Sequence, residues 1–156
     1  MTSLPSGFRC HVANVGIKDE TADFVGVVAD RAAAAAGVFT RSRFSGPSVD
    51  ISRANVASGE AQAVVVISKN ANVANGERGR QDADELVARV AAQLGVAPSD
   101  VLVASTGVIG RTYPMAAVRA GIAAMPDALT STDAVAVARG IMTTDTTAKT
   151  AEATVG

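Results

Sequence analysis

The sequence predicts an α/β domain, and three stretches carry that prediction. Ala61–Ser68 (AQAVVVIS) is a β-branched run of the kind found in buried parallel or sandwich-core strands. Arg80–Leu94 brings Leu86, Val87, Val90, Ala91 and Leu94 onto one helical face. Val101–Ala104 is a short apolar strand that runs into a polar turn, Ser105-Thr106-Gly107, with Gly110 and Pro114 beyond it. Loops held by a rigid scaffold are where small-molecule sites concentrate. A strand that ends by offering a hydroxyl and a glycine N–H is therefore the first candidate site: Thr106 O–H and Gly107 N–H suit the two donors of an oxyanion hole. Many such corners in α/β domains bind nothing, so this motif alone decides little.

Composition narrows the class. A chain of 156 residues has room for one domain with a sizeable core, and 48% hydrophobic residues make a folding composition. Aromatic residues are only 3%, with no Trp, so Val, Ile, Leu, Met and Ala must fill the interior. Fourteen basic against fifteen acidic residues leave a net charge of −1. The pairs Arg41/Arg43 and Arg78/Arg80 fall short of the basic stripe that nucleic acid requires. A single cysteine, Cys10, excludes an internal disulfide and a Cys-based zinc site, and a single histidine, His11, excludes a two-His metal site. The run Ala32–Phe39 is too short to span a bilayer, and the N-terminus has no signal-peptide pattern. One cytoplasmic domain over residues 1–156 is the expectation, without cofactor, metal, nucleic acid or membrane.

Taken in order, Phe8–Val15 alternates loosely as a first strand between Gly7 and Gly16, and Phe24–Ala29 reads as a second. Ala32–Phe39 is ambiguous between alanine-driven helix and extension, and a strand over Ala34–Thr40 is favoured. A short helix is expected around Ser52–Ala57, with Ser52 as its cap and Gly59 as its stop. After the Ala61–Ser68 strand comes an Asn-rich loop, Asn70–Asn75, explained by turn chemistry. In the helix over Arg80–Leu94, Asp82, Asp84 and Glu85 suit the N-terminal dipole and Gly95 suits the far end. Pro114–Met125 forms a helix with Met115, Val118, Ile122 and Met125 as its apolar stripe. Thr130 and Asp133 suggest a capping box ahead of a helix over Asp133–Met142, followed by the hydroxyl-rich loop Thr143–Thr147. Ala151–Val155 alternates like a last strand.

No set of residues here makes a self-sufficient catalytic centre. Cys10 and His11 point to opposite faces of one strand and cannot act as a pair, and neither a phosphate loop nor a dinucleotide fingerprint is present. What remain are two hydroxyl-rich loops and one amide-rich loop, uncharged and suited to a polar, amino-acid-like ligand or a developing oxyanion.

Several stretches in order then carry a resemblance: SGFR near the start, AAGVFT at Ala35–Thr40, VASTGVIG at Val103–Gly110 followed by YPM, and IMTTDT at Ile141–Thr146. Together they resemble the N-terminal portion of the glutamate/ornithine N-acetyltransferase family, over about Ser6 to Gly156. TRSRFSGPSV, NANVANG and STGVIGRTYPM are similar to the branch associated with specialised-metabolite clusters such as that of clavulanic acid. The resemblance implies an αββα sandwich of the ornithine acetyltransferase type, completed by a second (beta) chain. It implies a precursor cut before a threonine, which becomes the nucleophile at the N-terminus of that beta chain. It implies a ping-pong transfer of acetyl from N-acetylornithine to glutamate, with no cofactor, in a heterotetramer of two alpha and two beta chains. The family's oxyanion-hole threonine and glycine carry over to Thr106 and Gly107, and its substrate-contacting threonine to Thr143.

Family first chains continue through an AKG-x-GM-like segment to the cleavage site, and this sequence stops before both. The expectation is either a first subunit represented in part or a protein without the chemistry. Two other readings stay open: an autoprocessed amidase or aminopeptidase-like subunit with water as acceptor, and a catalytically inactive amino-acid-binding or scaffolding subunit.

Overall fold

Four strands form one sheet in sequence order, β1 (Phe8–Ala13), β2 (Phe24–Ala34), β3 (Glu60–Asn70) and β4 (Val101–Val108). The structure is a computed structural model that describes residues 2–18 and 20–154. β1–β2 and β2–β3 pair antiparallel, whereas β3–β4 pair parallel, because a long helix separates the last two strands in the chain. That helix is α2 (Gly76–Leu94). The others are α1 (Pro47–Asn55), α3 (Met115–Ala123) and α4 (Ala134–Gly140).

Strand alternation divides the sheet into two faces. Phe24, Ala63, Val65, Ile67, Val101 and Val103 share a core with Ile51 of α1, Leu86 and Val90 of α2, and Val118 and Ile122 of α3. Leu86, Val90 and Val118 are fully buried, each worth about 1.5–3 kcal/mol of transfer free energy. α4 packs on the other face, where Gly140 lies so close that an added Cβ would sit 2.5 Å from Val25 Cγ2. α4 covers that face beside β1 and β2. On β3 and β4, Val64 and Ala104 stay exposed, and Val66 and Leu102 are half-buried.

Several expected elements are recovered with shifted bounds, and six readings are corrected. First, β4 does not stop at Ala104: the Ser-Thr-Gly segment is itself strand, paired with Ser68, Lys69 and Asn70 of β3. Second, no strand covers Ala34–Thr40. β2 runs on to Ala34, and residues 35–46 carry neither helix nor strand. The stretch has one last backbone bond, Ala35 N to Gly59 O, and then no neighbouring strand to pair with.

Third, Ser52 is not a cap. α1 begins at Pro47, and the buried Ser52 hydroxyl instead donates to Val103 O (2.7 Å) and accepts from Val103 N (2.8 Å). It thereby satisfies both backbone groups of a residue in the edge strand β4. Fourth, α2 starts at Gly76, which moves Asp82, Asp84 and Glu85 beyond the first turn, where the dipole acts. They are held by ion pairs: Asp82 to Arg78 (2.9 Å), Asp84 to Arg80 (2.8 Å), and Glu85 to Arg89 and Arg119. Fifth, residues 151–154 form no strand, and Val155 of that stretch lies outside the described residues. Sixth, the capping box led by Thr130 is not what starts α4: Asp133 is itself the N-cap, its side chain accepting from Ala136 N (2.9 Å).

Other expectations hold. Gly95 takes a left-handed φ of 68° at the end of α2. Cys10 is buried, while half-buried His11 faces the other way, edge-on to Phe24. Burial lowers the His11 pKa, favouring the neutral imidazole. Among the described residues no helix is long and apolar enough to cross a membrane.

Candidate active site

The C-terminal ends of the parallel pair β3 and β4 lie side by side, and the candidate site grows from that junction. Lys69 of β3 stands opposite Gly107 of β4. The two backbones are so close that a Cβ on Gly107 would fall 2.2 Å from the Lys69 carbonyl carbon, and Gly107 has a φ of 135° that side-chain-bearing residues avoid. Only glycine fits. Lys69 compensates from its own side with a left-handed φ of 72°, unusual for lysine and worth about 1–2 kcal/mol of strain.

Beside this junction lies a cleft of about 620 Å³ lined by Thr106, Gly107, Val108, Lys69, Arg111, Ile17, Lys18, Thr143 and Thr144. Thr106, Gly107 and Thr143, read from separate parts of the sequence, thus meet in one cavity. A second cavity of about 850 Å³ shares Lys69 and Thr143 and continues along Thr146, Thr147, Arg139 and Asp145. Thr143 is brought here by α4, whose end is fixed to β3: Ser68 Oγ donates to Gly140 O at 2.7 Å. Lys69 Nζ donates to Ser68 Oγ (3.0 Å) and to Ala22 O. Burial pulls the Lys69 pKa down, opposed by the nearby Asp23 carboxylate and aided by Lys18. Asp23 is itself fully buried and accepts from the backbone N–H of Val15 (2.7 Å), Ile17 (2.7 Å) and Lys18 (3.2 Å), which folds the β1–β2 loop over the cleft.

Behind Thr106, on the core side of β4, Ser105 Oγ and the Tyr113 hydroxyl share a hydrogen bond. Burial pushes the Tyr113 pKa up to about 12, against the lowering effect of its bonds to Ser105 and Asn72. The phenol therefore stays neutral and the polar pair stays intact at working pH.

The amides of the Asn-rich loop are engaged in scaffolding and not turned to a ligand. Asn70 Oδ1 accepts from Asn72 N (2.7 Å), Asn72 Nδ2 donates to Gly79 O (2.8 Å), and Asn75 Nδ2 reaches Asn72 Oδ1 (2.9 Å) and Arg111 O (2.6 Å). Together they hold the segment after β4 in place. Of the three loops read as ligand-binding, the two hydroxyl-rich ones line the cavities and this one braces them. Lys69 and Arg111 escaped the sequence reading. The local signal at Lys69 was turn chemistry, and its position opposite Gly107 exists only once β3 and β4 are paired.

The sequence profile of the ArgJ family matches residues 9–156. The chain belongs to the ArgJ family. Among ArgJ relatives, the arginine biosynthesis bifunctional protein ArgJ 2 of Nostoc sp. is 51% identical over 155 residues, covering 99% of this chain and 40% of the relative. The glutamate N-acetyltransferase Oat2 of Streptomyces clavuligerus is 45% identical over 153 residues, covering 97% of this chain and 39% of the relative. The chain therefore spans about two fifths of the length of these curated relatives. Two crystal structures share the ArgJ fold with it. The arginine biosynthesis bifunctional protein ArgJ of Bacillus halodurans superposes with a TM-score of 0.84 at 32% identity, over 90% of this chain and 74% of that one. The ornithine acetyltransferase of Mycobacterium tuberculosis, in complex with ornithine, superposes with a TM-score of 0.83 at 32% identity, over 93% of this chain and 81% of that one. The α/β fold is thus of the ArgJ, ornithine-acetyltransferase-like type.

Proposed function

We propose that residues 1–156 are the N-terminal, alpha-chain-like domain of an acetyltransferase that moves acetyl from N-acetylornithine to glutamate. The observation that carries this reading is the single cleft lined by Thr106, Gly107 and Thr143. In the proposed reaction a threonine at the N-terminus of a beta chain attacks the acetyl carbonyl carbon. A C–O bond forms, the C–N bond to ornithine breaks, and the departing amine takes a proton. The amine of glutamate then attacks the acetyl-threonine ester, releasing the threonine and forming N-acetylglutamate, with no cofactor.

In each half-reaction the carbonyl oxygen gains negative charge. Thr106 O–H and Gly107 N–H are assigned to that oxyanion, and Thr143 to contact with the substrate. Support for the substrates comes from the relatives, one named a glutamate N-acetyltransferase and one an ornithine acetyltransferase bound to ornithine. The half-open sheet face of Val64, Val66, Leu102 and Ala104 supports an αββα sandwich, because a sheet with apolar residues on both faces is stable only when both are covered. We assign that cover to the beta chain, in a cytoplasmic heterotetramer of two alpha and two beta chains.

Thr106→Ala tests the assignment. Acetyl transfer should fall on the order of 100-fold, as when one oxyanion donor is removed, with the melting temperature little changed. Turnover within about twofold of wild type would remove Thr106 from the oxyanion hole.

A further inference from the structure

We infer that Lys69 is the residue by which this cleft selects an acidic amino acid, its ammonium receiving the side-chain carboxylate with Arg111 and Lys18 in support. The acyl-transfer reading is needed only to call that amino acid the acceptor. Its binding chemistry is argued from the cleft alone.

Three separate segments each contribute one basic residue to the lining of the cleft: Lys18 from the β1–β2 loop, Lys69 from the end of β3 and Arg111 from the segment after β4. Among the described residues lining it none is acidic. Two carboxylates in this region are hydrogen-bonded elsewhere, although the Asp23 charge still acts on Lys69. Asp23 is buried under three backbone N–H donors, and Asp145, in the adjoining cavity, pairs with Lys149. Lys69, which lines the cleft, hydrogen-bonds through Nζ to neutral acceptors, Ala22 O and Ser68 Oγ, and makes no ion pair among the described residues. An ammonium carries three donors, and these two bonds leave one for a ligand.

The backbone strengthens the case. At a φ of 72° glycine would sit without strain, so the chain path at position 69 requires no side chain. What the lysine adds is its ammonium, at the junction where the two cavities meet. Strain of this kind concentrates at ligand sites. Three cations exceed what one α-carboxylate beside its own ammonium neutralises, and a dicarboxylic amino acid brings the further negative charge.

Equilibrium titrations of the full-length protein with L-glutamate and L-glutamine, followed by NMR, test this directly. The two ligands share the α-amino and α-carboxylate groups and differ only in the side-chain charge. Wild type should bind glutamate at least about tenfold more tightly, the scale of one hydrogen bond to a charged group. Lys69→Gly, which the backbone accommodates, should weaken glutamate about tenfold and leave glutamine within about twofold. Arg111→Ala, at an exposed position, should shift the same ratio in the same direction. Equal affinities in wild type, or a glutamate preference retained in Lys69→Gly, would overturn the inference. A preserved preference in a protein that transfers no acetyl would remove the proposed function and leave this site standing.

Discussion

Gly107 is where the geometry of the site and the stability of the fold become one question. A methyl group there would lie 2.2 Å from the Lys69 carbonyl carbon and 2.6 Å from Asn70 N, and neither is a flexible side-chain end that can move aside. Gly107→Ala should therefore cost on the order of 3 kcal/mol, from overpacking and backbone strain together, as measured by denaturant unfolding. An alanine variant within about 0.5 kcal/mol of wild type would mean that β3 and β4 are further apart than described. At this scale the site was half legible. Thr106 and Gly107 stand out because a hydroxyl and a glycine follow an apolar run, whereas Thr143 is one of several hydroxyls in its loop and was singled out by the family resemblance. Lys69 did not, since its role arises from a left-handed φ and a partner 38 positions away in the sequence, as the register Lys69↔Gly107 gives. Ser52 was misread for the same reason: a hydroxyl that looks like a cap locally is a clamp on Val103 once α1 packs against β4.

Among the elements, α2 carries the longest apolar stripe and was read correctly in kind, if four residues short at its start. The stripe follows from periodicity alone, whereas the first turn, Gly76–Gly79, has no apolar signal to announce it. Glu85 joins α2 to α3 through a two-point contact with Arg119, Nε to Oε1 at 2.7 Å and Nη2 to Oε2 at 2.8 Å. Those bonds, with a further one from Arg89, hold the Glu85 pKa down at about 2. A depressed carboxylate pKa means the stabilisation is fully present above the unfolded value near 4.5 and is lost as pH falls toward 2. Thermal melts of wild type at pH 6 and pH 3 should differ by more than those of Glu85→Gln, which has no charge to lose. Identical pH sensitivity in the two proteins would mean that solvent screens the pair. The misreading of Ala34–Thr40 also belongs here. Its composition allows extension, but a strand needs a neighbour, and that information lies in the tertiary arrangement.

For the molecule as a whole, the α/β class and the order of elements were readable because each strand and helix carries its own hydrophobic period. The placement of α4 on the opposite face from α1, α2 and α3 was not readable, since it depends on the contact of Gly140 with Val25 and Val12. That placement matters for function: α4 delivers Thr143 to the Thr106–Gly107 junction and leaves β3 and β4 with an apolar face beside it. A cleft at the edge of an uncovered sheet is what the proposed two-chain acyltransferase requires of its first chain. The most direct test is an intact-mass spectrum of the native full-length protein, denatured after brief exposure to N-acetylornithine. The account predicts two chains, the second beginning with threonine and carrying one added acetyl group. Finding no acetylated chain would contradict it, and would make this domain a binding or scaffolding unit.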